Sequence, residues 1–235
     1  MFAERGSDGT TAESIAERAG VSLRTFYRYF RTKQDSVAPL LNFGARRCGL
    51  RHTGAMRTLG VIGCAAGGVE KLRTELVEPA VERGWQVAVT LTPTAGGWLR
   101  EIGEVERIAQ VTGLPCRVGP RLPGEGRPHP DIDCYLVCPA TANTVVKLAL
   151  GIADNQALTT LGEAIGTPGL PVVVFPKINA TQVRHPAWQS HVDALRAAEV
   201  HLLLDDQFAA HGPRSGSAPG IPWSEALDTV ERITG

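Results

Sequence analysis

The apolar residues follow an alternating pattern from residue 58 onward. Short apolar runs (TLGVIG, QVAVTL, CYLVC, PVVVF and HLLLD) are separated by longer segments whose apolar residues recur at helical spacing. Among these segments, residues 68–84 and 98–113 are each expected to form a helix. Continuous apolar runs of this length are typical of strands buried on both faces, as in a parallel sheet. A further short strand is expected near residues 115–118. The alternation predicts an α/β fold with a doubly wound parallel sheet.

Residues 10–37 carry a different pattern, TTAESIAERAGVSLRTFYRYFRTKQDSV. The first helical segment places three apolar side chains on one face, and Gly20 permits a sharp turn. Ser22 can then cap a second helix that carries Phe26 and Phe30 inward. This pattern predicts a small N-terminal helix-turn-helix module.

The helix-turn-helix resembles that of the TetR family of transcription regulators over GTT, IAERAGVS and TFYRYF. By that resemblance residues 22–30 form the recognition helix, so DNA is a possible partner through residues 10–37. The implied DNA contacts are Arg24, Thr25 and Arg28 at base edges and Thr11, Tyr27 and Lys33 at phosphates. From the residues alone, a solvated charged face is the alternative for Arg24 and Arg28.

The N-terminal module departs from the family pattern at both ends. The chain begins inside what would be the first helix, and Pro39 interrupts the expected long helix after the module. We therefore expect a truncated module at 1–43 and a linker at 44–56, with either Met1 or Met56 as the true start. An α/β domain at 57–205 and a C-terminal loop and helix at 206–235 complete the expected organisation.

Three of the predicted strands end in turns that suit an anionic ligand. They are GCAAGG at 63–68, TPTA at 92–95 and PATANT at 139–144. Glycine allows the backbone to approach a phosphate, and free helix N–H groups and hydroxyls can donate to it. Because the carboxyl ends of parallel strands meet at one edge, we expect one site there. A structural turn for the first segment and a helix cap for the second are the alternatives.

These turns, together with GIADN at 151–155, resemble the FMN-dependent cysteine decarboxylases, the family of phosphopantothenoylcysteine decarboxylase and of the lantibiotic peptidyl-cysteine decarboxylases. The resemblance implies a Rossmann-like flavoprotein domain, FMN as cofactor, and a homo-oligomer built on threefold axes. The implied cofactor-binding residues are Gly63, Cys64, Ala65, Thr92, Thr94, Ala140, Thr141, Asn143 and Thr144, with Thr92 and Thr94 at the phosphate. Asp154 and Asn155 are expected to support the turn or a subunit contact.

In that family FMN oxidises a cysteine-containing substrate, which then loses carbon dioxide, and a histidine acts as base. The candidate here is His129, although the family histidine belongs several residues earlier, near Glu125, and the place of His129 between two prolines favours a loop residue. The family's substrate clamp corresponds to PKINATQVRHPAW at 176–188, in which Asn179 is retained. Asn179 either hydrogen-bonds a substrate carboxylate or amide or caps the helix that follows.

Three functions follow as expectations. The first is an FMN-binding enzyme, a decarboxylase-like lyase acting on a small-molecule or peptide substrate that contains cysteine. The second is a flavin- or redox-responsive DNA-binding regulator without decarboxylase activity. An inactive flavin store is a third.

Composition and charge add modest limits. The chain has 24 basic and 24 acidic residues, but residues 1–56 hold nine basic and five acidic ones, which weakly favours nucleic-acid contact at that end. Five cysteines without a CxxC pair predict a reduced, cytoplasmic protein. The apolar runs are too short to cross a membrane, and His191, His201 and His211 lack metal-ligand spacing, so neither a membrane segment nor a metal site is expected.

Overall fold

Five parallel strands form a single sheet in the computed structural model, which describes residues 56–204 and 220–235. The strands are β1 (Thr58–Gly63), β2 (Gln86–Leu91), β3 (Cys134–Ala140), β4 (Val172–Pro176) and β5 (His201–Leu202). Their order across the sheet is β2-β1-β3-β4-β5, and every pairing is parallel. The predicted doubly wound parallel sheet is therefore confirmed. The helix-turn-helix with its six candidate DNA contacts, and the linker up to residue 55, lie outside the described residues.

The helical segments between the strands run as follows. A 3-10 turn (Val69–Lys71), a π-helical turn (Arg73–Val77) and α1 (Glu78–Glu82) follow β1; α2 (Pro93–Glu101) and α3 (Glu104–Thr112) follow β2; α4 (Ala142–Ala149) and α5 (Gln156–Ile165) follow β3; α6 (Ala180–Val183) and α7 (Trp188–Ala197) follow β4; and α8 (Trp223–Thr234) lies near the end of the chain.

Helices cover both faces of the sheet, and alternate side chains of β1 point to opposite faces. All six residues of β1 are buried. Leu59 and Val61 enter a core shared with α1, α2, α3 and α8, whereas Ile62 enters a second core shared with α4, α5 and α7. This two-sided burial explains why the strand is a continuous apolar run rather than an alternating one.

Three sequence predictions differ from the structure in detail. The helix expected over residues 98–113 is broken, because Gly103 adopts a φ of 71° and begins a new helix. The segment expected to be a helix over residues 68–84 changes from 3-10 through π to α geometry, with Pro79 at the start of α1. The strand expected near 115–118 is reduced to one bridge between Thr90 and Arg117.

The carboxyl ends of four strands are held level with one another by backbone hydrogen bonds that continue past the strands. They are Thr92 N–H to Gly63 O (3.0 Å), Cys64 N–H to Pro139 O (3.1 Å) and Lys177 N–H to Ala140 O (2.7 Å). All three of the turns singled out in the sequence therefore start from one aligned edge.

Neither a membrane-spanning helix nor a metal-binding cluster is present in the described ranges, 56–204 and 220–235. None of the helices there combines the length and the apolar character needed to span a membrane. Within the same ranges there is no group of three or more histidine, cysteine or carboxylate side chains that could hold a metal ion.

Candidate ligand-binding cleft

A cleft of about 410 Å³ opens at the carboxyl edge of the sheet. Its volume falls in the range of about 300–1,000 Å³ that is common for small-molecule sites. The lining residues are Ala65, Thr92, Pro93, Thr94, Trp98, Thr141, Asn143, Thr144, Lys147, Asp154 and Asn155. They follow β1, β2 and β3, at the point where the strand order reverses and where ligands bind in doubly wound sheets.

The structure brings together six of the nine residues predicted to bind a cofactor: Ala65, Thr92, Thr94, Thr141, Asn143 and Thr144. The other three do not line the cleft. Gly63, Cys64 and Ala140 are buried at the ends of β1 and β3. They belong to the strand ends beneath the cleft rather than to its wall.

The first turn of α4 is organised by Thr141, its N-cap residue. The Thr141 hydroxyl oxygen accepts a hydrogen bond from the Thr144 backbone N–H at 3.3 Å. The PATANT segment is shorter as a turn than the sequence suggests, because Pro139 and Ala140 belong to β3 and the helix begins at Ala142. Thr141 alone connects strand and helix.

The first turn of α2 has a different arrangement. Its N-cap residue, Thr92, is 7% exposed, and its side chain makes no capping hydrogen bond. Pro93 lacks an N–H, so the first free backbone donor of the helix is that of Thr94. The first turns of α2 and α4, which the structure describes in full, contain no acidic residue. Two helix N-termini with their partial positive charge therefore face one cleft.

Cys64 lies under the start of α4 and is 1% exposed. Burial raises the pKa of its thiol above the ordinary value, although hydrogen bonds from the Thr144 side chain and the Thr141 backbone act in the opposite direction. A thiol with a raised pKa stays protonated at neutral pH and is a poor nucleophile. Cys64 therefore packs beneath the cleft as a protonated thiol.

The far wall of the cleft carries three polar side chains in a connected chain. Lys147 Nζ donates to Asp154 Oδ2, and Asn155 Nδ2 donates to Asp154 Oδ1 at 2.9 Å. The Asn155 side-chain oxygen in turn accepts from the Leu158 N–H at 3.1 Å and caps α5. The expected support of this turn by Asp154 and Asn155 is thus visible, and both residues also line the cleft.

Sequence reasoning missed Pro93, Trp98 and Lys147 as lining residues. Helical spacing gives a signal for two of them: Trp98 lies four residues after Thr94 on α2, and Lys147 lies four residues after Asn143 on α4. Trp98 is 52% exposed at the rim. A large aromatic side chain at the edge of a cleft offers apolar contact area to a planar ligand.

His129, the predicted base, does not line the cleft. Its ring Nε2 lies 2.8 Å from the Pro115 carbonyl oxygen, in the loop before β3. Because a carbonyl only accepts, this contact uses the tautomer with a proton on Nε2. Partial burial lowers the pKa of the ring, and the nearby Arg117 charge adds to this, while the hydrogen bond to Pro115 raises it.

Asn179, the predicted substrate contact, caps α6. Its side-chain oxygen accepts from the N–H groups of Thr181 (3.1 Å) and Gln182 (3.0 Å), and the Gln182 side chain accepts from the Asn179 N–H. This reciprocal pair is a capping box. The helix-cap reading of Asn179 is therefore the one seen, with its side-chain amide N–H₂ group still a possible donor. Asn179 is not among the cleft-lining residues.

Two protein-family models match parts of this chain. Residues 125–232 match the family model described as Flavoprotein. This match covers a little under half of the chain and lies within the α/β unit. Residues 1–36 match the model described as bacterial regulatory proteins of the tetR family.

Individual relatives agree with the family match. A cysteine/cysteine sulfinic acid decarboxylase from an unidentified prokaryote is 38% identical over 87 residues, which is 34% of this chain and 23% of that protein. The coenzyme A biosynthesis bifunctional protein CoaBC of Thermococcus kodakarensis is 31% identical over 96 residues, 41% of this chain and 22% of that protein. The matched part of the chain thus spans less than a quarter of either relative.

Among solved structures, the FMN-dependent cysteine decarboxylase SpaF matches with a TM-score of 0.54 at 24% identity. The match covers 77% of this chain and 98% of SpaF. The α/β unit therefore shares its fold with nearly the whole SpaF chain.

Proposed function

We propose that the flavoprotein-family domain binds FMN in the cleft at the carboxyl edge of its sheet. The observation that carries the proposal is that the N-termini of α2 and α4 both line this cleft. Neither of these fully described helices has an acidic residue in its first turn. Such a donor set fits a phosphate monoester. SpaF, which shares this fold, is an FMN-dependent protein, and this supports the same assignment.

The residues fit two parts of the cofactor. The buried hydroxyl of Thr92, the hydroxyl of Thr94 and the free N–H groups of α2 would hold the phosphate. Thr141, Asn143 and Thr144 would line the flavin and ribityl chain, with Ala65 beside them. Gly63, Cys64 and Ala140 would act from beneath by fixing the strand ends.

We further propose that the domain acts on a cysteine-containing substrate, as the decarboxylase relative suggests. When bound, FMN supplies the two-electron oxidation that such chemistry requires. The protein would orient the substrate and provide a proton acceptor. Asn179, through the amide group that its capping role does not use, and His129 remain the candidate substrate and proton-transfer residues.

We also propose a homo-oligomer built from trimers, as the resemblance of the turns to the cysteine decarboxylases implies. Apolar side chains are exposed on segments that contribute to the cleft wall: Trp98 on α2 is 52% exposed, and Leu150 and Ile152, which lie in sequence between the lining residues Lys147 and Asp154, are 57% and 42% exposed. Burying them in a subunit contact would also close the cleft to water.

A second candidate function is favoured by the match of residues 1–36 to the tetR family model. In this reading the flavin domain senses FMN or its redox state and the N-terminal segment binds DNA. A gel-shift series of the protein with random DNA fragments, in the presence of oxidised or reduced FMN, distinguishes the enzyme from the regulator. Selective retention of one sequence, altered by flavin reduction, supports the regulator.

The test of FMN binding is a titration of the purified full-length chain with FMN, followed by flavin and tryptophan fluorescence. Of the four tryptophans, Trp85, Trp188 and Trp223 are buried and Trp98 is at the cleft. FMN binding should quench tryptophan emission, and Trp98→Phe should remove most of that change while thermal stability stays the same. Unaltered flavin emission at excess protein overturns the proposal.

The test of the reaction uses the FMN-loaded protein and peptides that end in cysteine, under anaerobic conditions. Bleaching of the flavin absorption with release of one carbon dioxide per flavin supports oxidative decarboxylation. Bound flavin that no thiol bleaches contradicts it and favours the sensor.

A further inference from the structure

Charge in the cleft wall is confined to one pair. Among the described residues that line the cleft, Lys147 is the single basic side chain and Asp154 the single acidic one. They form an ion pair in which the Lys147 side chain is 27% exposed and the Asp154 side chain 47%. The described wall is therefore neutral, although it faces two helix N-termini suited to an anion.

The two partners are not held equally. Asp154 is fixed by Asn155, whose amide donates to the second carboxylate oxygen while its own oxygen caps α5. Lys147 reaches the pair through a four-carbon chain that has several rotatable bonds. Lys147 is thus the partner that can turn toward a bound ligand, and Asp154 is the fixed one.

Asp154 stays ionised at neutral pH, so its carboxylate always offers a negative charge to Lys147. The hydrogen bond from Lys147 is the main reason that the pKa of the Asp154 carboxyl lies below its ordinary value, and the Lys147 charge and Asn155 add to it. The groups facing the carboxylate from the packed elements are Lys147 on α4 and Asn155 at the start of α5. Asp154 therefore competes with any anionic ligand for the Lys147 ammonium.

We propose that Lys147 is the cation of the cleft wall that attracts the phosphate of the bound flavin nucleotide, while Thr92 and Thr94 hold that phosphate, and that Asp154 limits the affinity for it by holding Lys147. This inference rests on the proposed function for the identity of the ligand. The Lys147–Asp154 pair would then determine how strongly the cleft distinguishes a phosphorylated flavin from an unphosphorylated one.

The prediction has opposite signs for the two partners. Asp154→Asn keeps the shape and one acceptor oxygen but leaves the Lys147 charge unneutralised, so FMN should bind about tenfold more tightly, as one charge in a partly exposed site implies. Lys147→Met keeps the stem and leaves Asp154 unpaired, so FMN should bind about tenfold more weakly. Lys147→Arg keeps the charge and should stay close to wild type.

The experiment compares FMN with riboflavin, which lacks the phosphate, by fluorescence titration at low and high salt. Riboflavin affinity should change less than about twofold in every variant, and the FMN effects should shrink at high salt because the pair is partly exposed. Asp193→Asn is the matched control: it removes the same charge on α7, where Asp193 pairs with Arg196 and does not line the cleft. Circular dichroism and thermal unfolding verify that each variant is folded.

Three outcomes overturn the inference. If both Asp154→Asn and Lys147→Met weaken the binding of FMN and of riboflavin alike, the pair only stabilises the structure of the cleft wall. If neither changes the FMN to riboflavin ratio, the anionic group lies away from Lys147. If wild-type protein binds neither flavin, the proposed function itself fails, and this inference fails with it.

Discussion

The hydroxyl oxygen of Thr141 accepts a hydrogen bond from the Thr144 backbone N–H at 3.3 Å, and the two hydroxyl oxygens lie 3.1 Å apart. Thr144 is 3% exposed, and the backbone N–H of Cys64, which follows β1, donates to the Pro139 carbonyl oxygen just before this turn at 3.1 Å. The start of α4 is therefore tied both to the residue that precedes it and to the end of β1. This connection keeps the α4 N–H groups in place at the cleft.

Thr141→Ala removes the cap of α4. Loss of a threonine N-cap lowers the free energy of unfolding by about 1 kcal/mol, with a usual range of roughly 0.5–2 kcal/mol. Thr141→Ser retains the hydroxyl and should lose less than half of that. Urea unfolding of the three proteins measures the difference, and FMN affinity should fall with Ala and persist with Ser. Equal stability of the Ala and Ser variants would show that the cap contributes nothing.

Gly96 and Gly97 in α2 provide a matched pair. A Cβ added at Gly96 would lie 2.5 Å from a methyl carbon of Val118, whereas one at Gly97 has nothing within 4 Å. Gly96→Ala should therefore lower the free energy of unfolding by roughly 1–3 kcal/mol through overpacking. Gly97→Ala should raise it by about 0.5–1 kcal/mol because alanine favours the helix. Denaturant unfolding tests both, and similar shifts in one direction would contradict this account.

The sequence was a good guide to what periodicity and strand ends determine. Apolar runs identify the five parallel strands, and turn residues at the ends of β1, β2 and β3 identify the cleft. These features depend on local pattern and on a general rule of parallel sheets. The confirmed fold and the shared edge follow from them directly.

Features that depend on tertiary context were beyond the sequence. Helical spacing from Asn143 points to Lys147 but does not separate it from a solvated lysine, and its pairing in the cleft depends on the path of the chain to Asp154. Gly103 divides two helices, yet a single glycine inside a helical pattern is often tolerated. The choice between cap and substrate contact for Asn179 required the position of Gln182.

Asn179 can be tested for both roles separately. Asn179→Asp keeps the acceptor that caps α6 but replaces the amide donor, whereas Asn179→Ala removes both. The Asp variant should match wild-type stability, and the Ala variant should lose about 1 kcal/mol. If the amide binds substrate, both variants lose turnover of the FMN-loaded protein with a cysteine-ended peptide. Wild-type turnover in the Asp variant would leave Asn179 with the cap alone.

His129 should make stability depend on pH. Its folded-state pKa is depressed, chiefly by burial, so the unfolded chain takes up a proton near the ordinary value of 6.5 while the folded ring resists it. The His129 contribution is therefore fully present above about pH 6.5 and is lost as the pH falls below that value.

His129→Gln removes this titration and leaves the other groups unchanged. The stability of wild type relative to the variant should accordingly decrease between pH 7.5 and 5.5, as measured by urea unfolding at each pH. FMN affinity at pH 7.5 should be unaltered, because His129 does not line the cleft. A relative stability that instead increases on acidification would mean that the folded ring favours its charged form. Its Nε2 contact with Pro115 would then outweigh burial, and the ring would be charged over the range in which a general base must be neutral.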